Sequence, residues 1–438
     1  MGVVHCVDVG STFTKGVAVD SDDGGLVATA SHVTTLPPGD VMDGVRAVTG
    51  ELAAVSGPAA ETLACSSAGG GLRLSVVGYE RAVTAEAGHR VGLSAGARVV
   101  HVAAGPLDGD GVTALRASRP DVVLLVGGTD GGNADVLLRN AKRLARVAVP
   151  VVLAGNSEAR AEAIELLGRR VVMCDNVLPR IGVLEPAPAR AAIRDVFLRH
   201  VIGGKHLSRG RGFAGLVRGA TPDVVLTGVE VLADEVGDVL VVDVGGATTD
   251  VYSAITPEGE DATLRKEVVA TLWRARTVEG DLGMRWNASG IVAAGVAERL
   301  VGDTEVPALE AAAARLAAAP GSVPDGDAAR VVDERLATIA VTVALRRHGR
   351  PAGPSSAPRD LRRVTTVVGS GGVLRHGSDD VRRGVLDSAT HDHGGGWRVP
   401  TAAGTFVDAD YVLFAAGLLR EVAPTAAAGL VTRGLRSL

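Results

Sequence analysis

The sequence predicts an α/β protein made of two related lobes, with an additional parallel α/β segment in its first half. Three observations predict it. Two glycine-rich turns of matching design, Asp8-Val9-Gly10-Ser11-Thr12-Phe13-Thr14-Lys15-Gly16 and Asp243-Val244-Gly245-Gly246-Ala247-Thr248-Thr249-Asp250, lie far apart, each behind an apolar, β-branched run. A third such run, residues 364–368, leads into Gly369-Ser370-Gly371-Gly372. Between the first two turns, short continuous apolar runs recur at a spacing of about 25 residues, the pattern of buried parallel strands in βα units. With 438 residues, 46% of them apolar and 22% charged, the chain can fill roughly three domain-sized cores at about 150 residues each.

In chain order, residues 3–7 read as a strand that ends at Asp8 and turns through Gly10. Residues 97–102, 121–126, 149–154 and 170–173 read as further strands, with helical stretches at 134–147 and 158–167. The loops after them, Gly127-Gly128-Thr129-Asp130-Gly131-Gly132-Asn133, Gly155-Asn156-Ser157 and Cys174-Asp175-Asn176, fall where open parallel sheets bind ligands, beyond the carboxyl ends of the strands. Thr129, Asp130, Asn133 and Asn156 are the candidates for such a second pocket. The same residue types also make tight turns and helix caps, and the pattern alone leaves both readings open. Residues 239–242 repeat the strand before Asp243. Residues 291–301 and 308–319 read as helices, the second dense in alanine, and a charged periodic run follows at 328–348. Residues 350–358 form a Pro/Gly/Ser loop rather than a domain linker, because the strand at 364 must rejoin the core.

The two turns carry phosphate chemistry. Tight glycine turns aim consecutive backbone N–H groups at an anion without obstruction by a Cβ. Gly10, Ser11, Thr12 and Thr14 in the first turn, and Gly245, Gly246, Thr248 and Thr249 in the second, supply those amides and hydroxyls. A carboxylate repels phosphate but can hold the water shell of the accompanying Mg²⁺, which gives Asp8 and Asp243 their role. Lys15 is a point charge for the outer phosphates. It is one of four lysines, with Lys142, Lys205 and Lys266, against a large excess of arginine. Gly369, Ser370, Gly371 and Gly372 allow a flat ring to lie against the backbone. ATP with Mg²⁺ is therefore the expected ligand.

These elements, in this order, resemble the phosphate 1, phosphate 2 and adenosine motifs of the actin, hsp70 and sugar-kinase superfamily. Four stretches carry a narrower resemblance, to the glutamate mutase L (MutL/GlmL) family: the Asp8–Gly16 turn, Val126 to Asn133, Cys174 to Pro179, and Arg276 to Arg285. The resemblance runs end to end. It implies an actin-like ATPase fold of two ribonuclease-H-like lobes around a nucleotide cleft. The first lobe would span 1–235, with an insertion at about 97–180, and the second 236–438. It also implies that acidic groups of the second half lie near the nucleotide, which adds Glu279 as a ribose or water contact. Asp250 is expected to cap its own turn. The family association points to a coenzyme-B12-dependent mutase as protein partner, and so to an ATP-hydrolysing accessory or reactivating protein. The chain lacks the Asp-x-His-x-x-Gly stretch of a corrinoid-binding mutase, so it is not read as the mutase itself. A small-molecule kinase of the same superfamily is the alternative.

A net charge of −5 and 3% aromatic residues argue against nucleic-acid binding. No apolar run reaches the roughly 18 residues of a membrane span. Cys6, Cys65 and Cys174 lack metal spacing and read as reduced core residues, and His391-Asp392-His393 reads as a loop. Together with an N-terminus that opens on a strand, these features predict a cytoplasmic protein. The sequence leaves room for a homo-oligomer.

Overall fold

A computed structural model describes residues 2–36, 38–68, 71–81, 83–204, 207–210, 212–256, 274–351, 358–396 and 398–438. Lys205, Lys266 and most of the 350–358 loop lie outside these residues.

The first sheet contains β1 (Val3–Val9), β2 (Phe13–Asp20), β3 (Leu26–Val33), β4 (Glu61–Ser66) and, much later in the chain, a short strand at Val217–Ala220. Between them the chain forms a separate sheet from β5 (Arg73–Gly78), β6 (Arg98–Ala104), β7 (Val122–Leu125), β8 (Val151–Leu153) and β9 (Val171–Met173), which makes Val217–Ala220 β10. The last sheet holds β11 (Val239–Val244), β12 (Thr249–Ala254), β13 (Arg274–Glu279), β14 (Thr366–Gly371), β15 (Gly404–Val407) and the two-residue β16 (Arg436–Ser437).

The first sheet is ordered β3-β2-β1-β4-β10 and the last β13-β12-β11-β14-β15-β16. In both, three antiparallel strands are followed by two parallel ones. The same ribonuclease-H-like topology thus occurs twice, which is the two-lobed actin-like ATPase fold that the sequence predicts. Each antiparallel hairpin turns in the same way: Gly10 N–H donates to the Phe13 carbonyl at 3.1 Å and Gly245 N–H to that of Thr248 at 2.9 Å. Glycine is required at both, since a Cβ on Gly10 would stand 2.7 Å from the Phe13 carbonyl oxygen and one on Gly245 2.8 Å from that of Thr248.

The middle sheet is wholly parallel, in the order β6-β5-β7-β8-β9. It starts earlier than the expected 97. β5 escapes the apolar-run pattern because Arg73, Ser75 and Gly78 interrupt it, yet it is an inner strand, flanked by β6 and β7. The apolar run at 97–102 instead forms the outer strand β6.

The lobes share a core. Cys6, Val17 and Leu63 of the first pack with Val241 and Val368 of the second through two helices, Thr221–Val236 and Leu413–Leu419. These helices cross backbone to backbone: a Cβ on Gly228 would lie 1.9 Å from the Leu413 carbonyl oxygen, and one on Gly417 2.0 Å from that of Val224. The middle sheet is rooted in the first lobe, and its helix Thr84–Ser94 also packs on β13 of the second.

Candidate functional site

Both hairpins sit at the carboxyl ends of equivalent strands, with Asp8 and Asp243 in matching positions and Lys15 paired opposite Asp8 on β2. Asp8 is the penultimate residue of β1 and is 3% exposed. Its Oδ1 accepts from the Thr221 hydroxyl at 2.5 Å and from the Cys65 thiol at 3.5 Å, and its Oδ2 from the Tyr411 hydroxyl at 3.2 Å. Burial pushes the Asp8 carboxyl above the ordinary aspartate range, while Lys15 and the three donors pull it back. Burial also raises Asp243, to about 6, against the opposing pull of Lys15. Lys15 is itself lowered by desolvation, though Asp8, Asp243 and Asp408 all favour its charge. Lys15 stands opposite Asp8 in the β1–β2 register, and its charge favours the ionised form of acids from both lobes.

Ser11 and Thr12 are exposed on the first turn, and Gly246 and Ala247 on the second. The Thr14 hydroxyl faces inward, 3.0 Å from that of Thr34, and Thr249 donates to the Leu282 carbonyl at 2.6 Å. Strand alternation turns both away from the cleft, so neither belongs in the phosphate-binding set. Thr248 donates to Asp250 Oδ2 at 2.9 Å, and Arg276 clasps the Oδ1 of the same carboxylate at 2.7 Å. Asp250 thereby braces the turn it follows.

The Arg276–Arg285 block is a backbone strap behind the second turn. Met284 N–H donates to the Gly245 carbonyl, and Arg285 and Trp286 N–H both donate to that of Gly246, at 2.8–3.0 Å. Gly283 lies against Ala247, whose carbonyl carbon would stand 2.4 Å from a Cβ there. Glu279 and Asp281 are both held by Arg347, at 2.8 and 2.7 Å. This guanidinium accounts for both carboxylates at the end of β13.

Gly369, Ser370 and Gly371 complete β14, paired in parallel with Val242, Asp243 and Val244. Gly371 has φ +95°, and a Cβ there would lie 2.1 Å from the Val244 carbonyl oxygen. Ser370 stands in register with Asp243, and its buried hydroxyl has no hydrogen-bond partner among the described residues. The two cramped glycine turns, the counter-charged lysine and this unpartnered hydroxyl suit a nucleotide with a divalent cation. Asp8 and Asp243 would hold the ion's water shell.

Sequence reasoning missed four participants. Asp408, fully buried, caps the helix Leu413–Leu419 by accepting from Val412 and Leu413 N–H at 2.6 and 3.2 Å. Tyr411 bonds Asp8, Arg375 donates to the Ala409 carbonyl at 3.0 Å, and Thr221 bonds Asp8 from the start of its helix. Only Asp408 had a local signal, a short strand ending at Val407 that brings it to the carboxyl edge beside β14.

In the middle sheet the expected second pocket is largely self-satisfied. Asn156 donates to the Gly132 carbonyl at 2.8 Å and accepts from Glu158 N–H at 3.0 Å. Asn133 accepts from Asp135 N–H at 2.8 Å, at the start of the helix Asp135–Leu144. Asp130 accepts from Ser157 N–H and the Asn176 amide, both at 2.9 Å. Thr129 supplies a turn carbonyl to Gly132 N–H at 2.9 Å. An open cleft of about 240 Å³ is lined by Asp130, Ser157, Arg160, Asp175, Asn176 and Glu185, among others; Asn133, Asn156 and Thr129 do not line it. Asp392 of the His391–His393 loop is clasped by Arg346 at 2.6 Å, and no metal-ligating cluster occurs among the described residues.

Comparison with known proteins gives three results. The family model described as "MutL protein" matches residues 4–435. A curated relative, "Protein MutL" of Clostridium tetanomorphum, is 35% identical over 98% of both chains. Among solved structures, a nucleotide-free acetone carboxylase covers 95% of this chain and 70% of its own at 14% identity, with a TM-score of 0.38. Component A of the (R)-2-hydroxyglutaryl-CoA dehydratase of Acidaminococcus fermentans covers 98% and 100% at 10% identity, with a TM-score of 0.31. Both structural overlaps are too loose to carry an argument about function.

Proposed function

Because this chain belongs to the MutL protein family, we propose that it is an Mg²⁺-dependent, ATP-hydrolysing accessory protein that acts on a coenzyme-B12-dependent mutase. One observation carries the nucleotide reading: two hairpins with the same glycine N–H to carbonyl turn, one per lobe, carry Asp8 and Asp243 at matching strand positions, with Lys15 opposite Asp8 in register. ATP would supply a phosphoanhydride, and release of the cleaved phosphate would remove charge from between the lobes.

The protein's own share is positional. Backbone amides of Ser11 and Thr12, and of Gly246, bind phosphate oxygens, while those of Gly10 and Gly245 hold the turns through the Phe13 and Thr248 carbonyls. Lys15 neutralises charge, and Asp8 and Asp243 orient the water around the cation. Since each lobe owns one turn, hydrolysis relaxes the join between them and becomes motion. The mutase as recipient of that motion rests on the family association, and the three reduced cysteines fit a cytoplasmic setting.

The test is calorimetry with MgATP, plus phosphate release, for wild type, Asp8→Asn and Asp243→Asn. Binding with slow turnover that each substitution reduces at least about tenfold supports the reading. A wild-type protein that does not bind MgATP refutes it. Turnover that answers to a small metabolite instead of a mutase would favour the kinase alternative.

A further inference from the structure

Tyr411 stands in the second lobe but makes its polar contact with the first. Its φ is +59°, in the left-handed region that bulky side chains rarely adopt and that persists only where the surroundings hold it. The holding groups are identifiable. Asp408 fixes Val412 and Leu413 on one side. The Phe414 ring lies 5.0 Å away, centroid to centroid. The Arg375 guanidinium, anchored on the Ala409 carbonyl, sits 5.1 Å from the ring centroid.

Held in this way, the 7% exposed side chain reaches across to the first lobe by two routes. Its hydroxyl donates to Asp8 Oδ2 at 3.2 Å, while Thr221 and Cys65 serve the other oxygen. Its ring face lies 4.1 Å below the Lys15 ammonium, within cation–π range. Phenylalanine would keep the ring contacts and lose only the donor.

We propose that Tyr411 is a positioning residue that couples the lobes: from a strained loop of the second it orients Asp8 and Lys15 of the first, so that the acid–lysine pair is in working geometry only while the lobes are joined. This deepens the nucleotide reading of the cleft and rests on it for its catalytic consequence.

The experiment compares full-length wild type with Tyr411→Phe in two assays. Without nucleotide, hydrogen exchange across residues 7–16 should quicken severalfold, with residues 239–254 unchanged and the melting temperature within about two degrees. With MgATP, kcat should fall about tenfold while KM moves less than about threefold. A merely structural tyrosine would loosen both segments and leave kcat per folded molecule intact. Wild-type exchange at 7–16 together with wild-type kcat overturns the proposal. If the wild-type protein does not bind MgATP, the nucleotide reading fails by itself, and the exchange assay alone decides whether Tyr411 couples the lobes.

Discussion

His348 of the second lobe is held neutral by its burial. It is fully buried, with Nε2 2.9 Å from the Ser253 hydroxyl and Nδ1 2.9 Å from that of Thr277. Desolvation, aided by the Arg359 charge, drives it well below the ordinary histidine range. The unfolded chain takes up that proton below about pH 6.5 and the folded one refuses it, so the stability is whole above that value and is lost as pH falls. The loss attributable to this one group approaches about 1.4 kcal/mol per pH unit. Urea denaturation between pH 7.5 and 5 should show a shallower decline for His348→Asn, and identical slopes would refute the assignment. Residues of this kind do not stand out in the sequence, whereas Asp8, Lys15 and Asp243 do as candidates, because a charge beside a glycine turn at a strand end has few structural uses. Thr14 and Thr249 misled because a hydroxyl in a motif does not reveal which face of the strand it takes. Asp408, Tyr411 and Arg375 matter only through the pairing of β11, β14 and β15, which no local pattern encodes.

Among the elements, the second hairpin depends on its strap and on one carboxylate. Asp250 accepts both the turn hydroxyl of Thr248 and the guanidinium of Arg276, whose side chain is 5% exposed. Asp250→Asn should strand that buried cation and cost about 3 kcal/mol. Denaturation in urea would measure it, and a change under about 0.5 kcal/mol would show that the brace is superfluous. The flanking strands β1, β11 and β14 were readable because inner parallel strands are continuously apolar. β5 was not, since its burial comes from partners on both sides rather than from its own composition. The 276–285 block was recognised by resemblance, yet its physical role lies in its backbone amides, which a residue pattern cannot show. The loops of the middle sheet were ambiguous for the opposite reason, because asparagine caps and asparagine ligands look alike until their partners are known.

At the scale of the molecule, the lobes meet where Gly228 and Gly417 let two helices touch without side chains between them. Gly417→Ala would place a methyl 2.0 Å from the Val224 carbonyl oxygen, which only separation of the helices can relieve. The expected cost of such overpacking is about 1–3 kcal/mol, seen as a melting temperature lower by several degrees. An unchanged melting temperature would mean that the joint yields freely. The twofold architecture itself was legible, because both halves carry the same turn.

The position of the middle sheet has one more consequence, and it concerns time. β10 completes the first sheet by pairing Ala220 with Ser66, across a stretch of about 150 residues that must first be brought to a compact end-to-end distance. The parent sheet therefore waits for its guest. During synthesis, β1 to β4 emerge early with the flank of β4 unpaired, and the intervening unit must collapse before that flank is covered. Coverage of that flank thus depends on a neighbour that shares none of its strands, and until β10 arrives the unpaired β4 edge is open to other strands.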